Sequence, residues 1–209
     1  RAAPEVEFVV DFETVSSLDD DFSTFPVMGG TPMIFMIGCG TLRRGAWTGF
    51  KHFVANRLHL DEEEKIVRAW LDHMRAQAEA APILHWSRAE KDMYAAARKR
   101  HPRAPWPDAL PWRDACSDLY KHLGPHLGLP NAKLKHTCAA LRDVIQTQWE
   151  EDGPGDGESA MTGAWWLQRH VPEKFATHPL MQAIAHYNYV DCKTVSELVH
   201  LARTLLRHA

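Results

Sequence analysis

The order of hydrophobic and polar residues predicts β-strands at the start of the chain. Val6 to Val10 is a short run rich in β-branched and aromatic residues, and it is followed by similar runs at Met33 to Cys39 and Trp47 to Val54. Turn-forming residues occupy positions 40–45, between the last two runs. The pattern therefore predicts three consecutive strands that pair as an antiparallel meander.

The apolar spacing then becomes helical. We expect a helix from Asp61 to about Ala80. Its first four residues are acidic, which suits the N-terminal end of a helix dipole, so we interpret this acid cluster as part of a helix start and not as a metal site. A strand at Pro82 to His85, a helix from Ala89 to Arg100, and a strand leading into a helix within Trp112 to Leu119 follow.

Three more helical segments are predicted, at Leu134 to Trp149, Ser159 to His170 and His186 to about Leu205. The glycine-rich stretch 153–158 between the first two is typical of a solvated loop and does not indicate a domain boundary. Three strands in sequence, followed by strands separated by helices, indicate an α/β protein with a mixed five-stranded sheet flanked by helices.

Composition indicates one globular domain. The chain has 209 residues, of which 45% are hydrophobic, and no apolar stretch is long enough to span a bilayer. We expect a cytoplasmic protein without membrane association. The four cysteines lie far apart and form no C-x-x-C pair, so we expect free thiols and no zinc site. The first residue is Arg1, and we expect residues 1–209 to be one domain of a larger protein.

Two carboxylates follow the first hydrophobic run, at Asp11 and Glu13. Residues i and i+2 of a strand face the same side, so both carboxylates point into one space while Phe12 packs on the opposite face. Neighbouring carboxylates repel each other unless a positive charge lies between them, and a divalent cation with oxygen ligands meets that need. Asp19 to Asp21 form another acidic group, but consecutive acids in a loop are usually only hydrated.

A second candidate pair lies near the other end of the chain. Tyr187 and Asp191 are four residues apart in a predicted helix and therefore share one face. Such a carboxylate can bind a metal while the phenol contacts a water on that metal. The alternative is a packed tyrosine beside a solvated aspartate.

Together these motifs resemble the DEDD superfamily of 3′–5′ exonucleases, which have an RNase H-like fold. Asp11-Phe12-Glu13 matches the first motif, and Tyr187-x-x-x-Asp191 matches the third motif in its tyrosine form. The middle motif follows a strand and opens a helix. Residues 82–90 occupy that place, with Glu90 where the family usually has aspartate. This departure, together with the Y-N-x-x-D-C ending at Tyr187 to Cys192, resembles the predicted nucleases of this fold that are often joined to RecB-type nuclease or helicase domains.

The resemblance implies a two-metal site with Mg²⁺ or Mn²⁺, in which Asp11 bridges the ions. Glu13 and Asp191 would bind the ion on the nucleophile side, and Glu90 would act on the other ion through water. Asp92, Asp114 and Asp118 remain alternatives to Glu90.

The water-orienting residue is one of two neighbours. Tyr187 is the first candidate, and His186 is the alternative, since it stands five residues before Asp191 as in the histidine form of the family. The two side chains lie about 100° apart on a helix, so only one can face the site.

The nucleic-acid contacts are predicted from residues near these motifs. Phe12, Thr14 and Trp86 are candidates for contacts with the bases or sugar at a strand end, although Phe12 is also a natural core residue. Lys133 and Lys135 precede a predicted helix, whose N-terminus could meet a phosphate.

The predicted function is exonuclease cleavage at the 3′ end of single-stranded DNA. A net charge of −3 does not favour nucleic-acid binding, but the end of one strand needs only a local basic surface. An exoribonuclease is a close alternative. The alternative from another class is a catalytically weak nucleic-acid-binding or docking module of a larger nuclease or helicase protein. Glu90 distinguishes the two functions, because the enzyme requires that Glu90 reach the metals.

Overall fold

One mixed sheet organises the protein. The computed structural model describes residues 3–16, 32–122, 124, 128–129, 132–150 and 154–208. The strands are β1 (Val6–Val15), β2 (Met33–Arg43), β3 (Ala46–Val54), β4 (Ile83–His85) and β5 (Trp112–Asp114). Their order in the sheet is β3-β2-β1-β4-β5. The first three strands pair antiparallel, and β4 and β5 join them in parallel. This confirms the predicted α/β class and is consistent with an RNase H-like arrangement.

Helices cover both faces of the sheet. They are α1 (Leu60–Gln77), α2 (Ala89–Arg100), α3 (Ala115–His122), α4 (Leu134–Ala140), α5 (Gly157–His170) and α6 (Pro179–His208), with a 3₁₀ turn at Pro172–Lys174. On one face of β1, Phe8 and Phe12 pack with Trp70 of α1. On the other face, Val9 packs with Cys192 of α6. Within the described ranges, no helix is long and apolar enough to cross a membrane.

The central strand is longer than its sequence pattern predicts. The hydrophobic run that predicts β1 ends at Val10, with Asp11 and Glu13 expected at the strand end, but β1 continues to Val15 because residues 11–15 pair with β2, from Asp11 opposite Gly38 to Val15 opposite Met33. The register shifts between Glu13 and Thr14. Such bulges are frequent next to active sites, where they redirect side chains. The two carboxylates therefore lie inside a paired strand.

The turn between β2 and β3 is shorter than expected. Only Arg44 and Gly45 form it, with φ values of 51° and 82°. Positive φ at both central residues is the geometry of a two-residue hairpin turn. Gly40, which we had placed in the turn, pairs with Phe50 instead.

The predicted helix from Leu134 to Trp149 is wrong beyond Ala140. Helix α4 ends because the amide of Leu141 bonds to the carbonyls of Thr137 and Cys138 and closes the last turn. Residues 145–150 then run without regular structure beside α6, where the amides of Gln146 and Thr147 donate to the Glu197 carboxylate. The acidic group 19–21 lies outside the described residues.

Candidate metal centre

Strand β1 presents two carboxylates to the face covered by α6. The alternation of the strand places Asp11 and Glu13 on that face, and Phe12 on the other. Phe12 packs edge-on against Trp70, with ring centroids 5.3 Å apart. Glu13 is buried and Asp11 is partly exposed. The predicted common orientation of the two carboxylates is therefore what the structure shows.

Helix α6 supplies a third carboxylate. Asp11, Glu13 and Asp191 each offer an oxygen, and these three atoms lie within 4.8 Å of one another. An all-carboxylate group of this size suits hard divalent cations such as Mg²⁺ and Mn²⁺, which prefer oxygen ligands. The donor set therefore fits a metal ion, and the structure alone does not select which ion.

The electrostatics of the group are those of charges without a neutralising partner. Burial, followed by the charge of Glu90, raises the pKa of Asp11 to about 7. Burial and the charge of Asp11 raise the pKa of Asp191 to about 8. Burial and the other two carboxylates also raise the pKa of Glu13 well above its usual range. A bound cation would reverse these shifts, because it favours the ionised form of each ligand.

Glu90 lies beside the group and not within it. It is buried at the start of α2, where it accepts a hydrogen bond from the Ser87 hydroxyl at 3.3 Å and approaches His85 Nδ1 at 3.7 Å. Burial raises its pKa to about 7. The charge of Glu90 raises the pKa of Asp11, but the oxygens of Glu90 do not belong to the close group formed by Asp11, Glu13 and Asp191.

Two of the alternatives to Glu90 have other partners. Asp114 accepts hydrogen bonds from the amide and the hydroxyl of Ser117 and so starts α3. Asp92 forms an exposed ion pair with Arg88. The side chain of Asp118 is outside the described residues.

The two neighbours on α6 have different surroundings. The phenol of Tyr187 lies near enough to Asp191, Glu13 and Asp11 to be affected by their charges. Burial and the charges of Asp191, Glu13 and Asp11 raise the pKa of Tyr187. His186 is exposed, and its Nε2 lies 3.3 Å from an oxygen of Glu150. The structure thus brings Tyr187 to the carboxylates and turns His186 towards solvent.

A tryptophan and a lysine complete the surroundings of Asp191. The indole Nε1 of Trp149 donates to Asp191 Oδ1 at 2.8 Å. The ammonium of Lys135 lies 4.9 Å from the ring centroid of Tyr187 and 5.3 Å from that of Trp149. Sequence reasoning missed Trp149 because it assigned this residue to a helix; its position depends on the irregular path of residues 145–150.

Asn188 is the second residue that sequence reasoning passed over. It is fully buried, and its amide nitrogen donates to Asp11 Oδ2 at 2.7 Å and to Glu13 Oε1 at 3.4 Å. Its place in the Y-N-x-x-D-C ending was a signal in the sequence, but contact with a strand at the far end of the chain has no local pattern that would assign it a role.

The remaining predicted nucleic-acid contacts are placed as follows. Phe12 and Trp86 are buried, and the Trp86 indole donates to the carbonyl of Ala132 at 2.9 Å, so both rings serve packing and neither is a surface for a base. Thr14 is partly exposed at the bulge in β1. Lys133 is exposed and precedes α4, a helix of only seven residues.

The site therefore consists of three carboxylates that could hold a metal ion, a fourth beside them, and a buried amide, a phenol, an indole and an ammonium around them.

Comparison with known proteins finds no matching family model and no significant match among curated proteins.

Proposed function

We propose that this protein is a divalent-metal-dependent 3′–5′ exonuclease that hydrolyses single-stranded DNA. The observation that carries the proposal is the group of Asp11, Glu13 and Asp191, whose ligand oxygens lie within 4.8 Å of one another on an RNase H-like sheet. Both the direction of cleavage and the DNA substrate follow from the resemblance of the motifs to DEDD exonucleases.

The three carboxylates would hold Mg²⁺ or Mn²⁺. When bound, these ions would generate the attacking hydroxide and stabilise the charge on the leaving oxygen. Glu90, which is buried beside the group, would act on the nearer ion through water.

Tyr187 would orient the attacking water without taking its proton. Burial and the neighbouring carboxylates raise the pKa of its phenol, so the phenol stays protonated at neutral pH. A protonated phenol can still donate one hydrogen bond and accept another, which is sufficient to hold a water in line with the phosphorus.

Lys135 is the residue best placed to meet the substrate phosphate. Its ammonium lies 4.9 Å from the ring centroid of Tyr187 and donates to the carbonyl of Gly155, and its charge lowers the pKa of Asp191. An ammonium at this position would balance part of the charge of a phosphodiester, which the acidic group otherwise repels. Lys135 therefore supports an anionic substrate despite the net charge of −3.

A second candidate function is a nucleic-acid-binding or docking module with weak catalysis. The position of Glu90 outside the three-carboxylate set favours this alternative, because a full four-carboxylate site is the basis of the exonuclease mechanism. An exoribonuclease would use the same residues as the DNA enzyme.

Hydrolysis of end-labelled oligonucleotides tests these functions directly. Single-stranded DNA and RNA, labelled at the 5′ or the 3′ end, would be incubated with Mg²⁺, Mn²⁺ or EDTA, beside an Asp191→Asn control. Early loss of the 3′ label that needs metal and is absent in the control supports the exonuclease, and the faster substrate identifies the nucleic acid. Binding without cleavage under every condition would replace the enzyme with the docking module.

A further inference from the structure

We propose that Asn188 is a positioning residue that sets the geometry of Asp11 and Glu13 for metal binding, and that Gly38 provides the space it needs. This inference rests on the proposed metal-dependent function. Gly38 lies outside the three motifs that define the site by resemblance, and Asn188 occupies a position of the third motif to which no role was assigned.

The amide of Asn188 connects the two carboxylates of β1. Its nitrogen donates to Asp11 Oδ2 at 2.7 Å and to Glu13 Oε1 at 3.4 Å, and it also reaches the backbone carbonyl of Asp11 at 3.2 Å. The side chain is fully buried. One group from α6 therefore limits the rotation of two proposed ligands on the neighbouring strand.

The chemistry of an amide suits this position. Its NH₂ group donates hydrogen bonds but carries no charge, so it orients carboxylates without neutralising them. A lysine or arginine in the same place would form ion pairs with Asp11 and Glu13 and compete with a divalent cation. Groups that hold metal ligands in this way are a recurrent part of metal sites.

The amide oxygen of Asn188 fixes the location of the side chain. Oδ1 is buried, and no hydrogen-bond partner for it exists in the described part of the chain. Reversal of the amide would place this oxygen against two carboxylates, so the donor side must face them. The oxygen instead occupies the space beside Gly38 on β2.

Gly38 is required for space and not for backbone conformation. It lies opposite Asp11 in the β1–β2 pairing, and its φ is not positive. A Cβ atom at this position would stand 2.0 Å from Asn188 Oδ1 and 3.0 Å from Asn188 Cγ. Any side chain at residue 38 would therefore move Asn188 away from the carboxylates.

Two substitutions should then weaken metal binding from opposite sides. Asn188→Ala removes the donor, and Gly38→Ala displaces it. Loss of a group that orients metal ligands typically costs about 10- to 100-fold in metal affinity or activity. We expect both variants to bind Mn²⁺ about 10- to 100-fold more weakly than the wild type. The same loss should appear as a higher Mn²⁺ requirement in cleavage, with kcat recovering at high Mn²⁺.

The experiment is a Mn²⁺ titration of the full chain followed by the electron paramagnetic resonance signal of free Mn²⁺. It compares the wild type, Asn188→Ala, Gly38→Ala and Asp191→Asn. Ser196→Ala is the matched control, because Ser196 is also buried in α6 and, among the described residues, its hydroxyl bonds only to the carbonyl of Lys193. Circular dichroism establishes that each variant is folded, and Asn188→Ser replaces Asn188→Ala if the alanine variant does not fold.

Each outcome has a distinct meaning. Weaker Mn²⁺ binding in both the Asn188 and Gly38 variants, with Ser196→Ala near the wild type, supports the positioning role. Wild-type affinity in a folded Asn188 variant overturns the inference and leaves the metal site intact. Failure of the wild type to bind Mn²⁺, or equal binding by Asp191→Asn, overturns the proposed metal site and the inference with it.

Discussion

The buried carboxylates at the two ends of the contact between β1 and α6 differ in whether they form an ion pair. Glu7 and Glu13 lie on the same face of the same strand, and both are buried. Glu7 accepts two hydrogen bonds of 2.6 Å from the guanidinium of Arg203. Within the described ranges, no lysine, arginine or histidine forms an ion pair with Asp11, Glu13 or Asp191.

This difference distinguishes an acid that belongs to an ion pair of the fold from the acids of the candidate metal centre. At Glu7 the protein supplies the compensating charge from its own chain, and the bidentate geometry satisfies both partners. At Asp11 and Glu13 the same helix offers a neutral amide and another carboxylate. Unneutralised buried charge is costly, and the oxygens of Asp11, Glu13 and Asp191 lie close enough together that they could hold a cation.

Glu63 provides a second example of a compensated acid. We interpreted the acids that begin α1 as a helix start, but Glu63 is fully buried and accepts hydrogen bonds from Arg100, His101 and the amide of Ile34. Burial alone would raise its pKa, yet the bonds from His101 and Arg100 keep it below the usual value. Glu7 and Glu63 thus form ion pairs, whereas Asp11, Glu13 and Asp191 form none with the described residues.

The largest effect on cleavage should come from replacing a carboxylate of the candidate metal centre with the amide of the same shape. Glu13→Gln or Asp11→Asn should lower cleavage by about 10³-fold or more, beyond the typical loss for one group that stabilises a transition-state charge. Single-turnover cleavage of a labelled oligonucleotide at saturating Mn²⁺ measures this loss. Near-normal rates in a folded variant would show that the carboxylates are not the catalytic site.

The matched change at Glu7 should lower stability and leave cleavage nearly unchanged. Glu7→Gln leaves the Arg203 guanidinium largely buried without its anion, and loss of one partner of a buried pair costs about 3–5 kcal/mol of unfolding free energy. Urea denaturation measures that cost. Cleavage at low temperature should stay near the wild-type rate, and a selective loss of cleavage without loss of stability would contradict the division between the two ends.

A smaller effect should distinguish the two neighbours on α6. Tyr187→Phe removes the hydroxyl beside Asp191, and we expect cleavage to fall by about 10- to 100-fold, as for other groups that orient a metal site. His186→Ala removes an exposed side chain that pairs with Glu150 and should change the rate little. The ratio of the two single-turnover rates is the measurement, and the reverse order would assign the chain to the histidine type.

The last effect concerns stability as a function of pH without metal. The pKa of Asp11 is raised from 3.8 to about 7 and that of Asp191 from 3.8 to about 8, so the folded state binds more protons than the unfolded state between these values. The free energy of unfolding should therefore decrease as pH rises from about 4 to 8.

Thermal unfolding in EDTA at several pH values measures this dependence. Mg²⁺ or Mn²⁺ should restore stability at pH 8, since an ion that binds only the folded state stabilises it. Asp11→Asn should reduce the pH dependence, because it removes one of the two groups. A metal-free protein whose stability is constant over this range would contradict the unneutralised cluster.

The sequence by itself determined the parts of this protein that depend on local periodicity. Period-two spacing placed Asp11 and Glu13 on one side of a strand, and period 3.6 placed Tyr187 and Asp191 on one side of a helix. The order of strands and helices followed in the same way, and α2 was predicted with its observed bounds. Errors occurred where pairing or packing overrode local signals, as in the extension of β1 and the early end of α4.

Only the tertiary structure decided which ends of the chain meet and with what charges. Asn188 contacts Asp11 across a separation of 177 residues, and the fit depends on a glycine on a third element, β2. Local spacing carries no information about such contacts, because they arise from strand register and from the way α6 lies on the sheet. The same packing set Arg203 against Glu7 and brought the carboxylates of Asp11, Glu13 and Asp191 together as a group that could hold a metal ion.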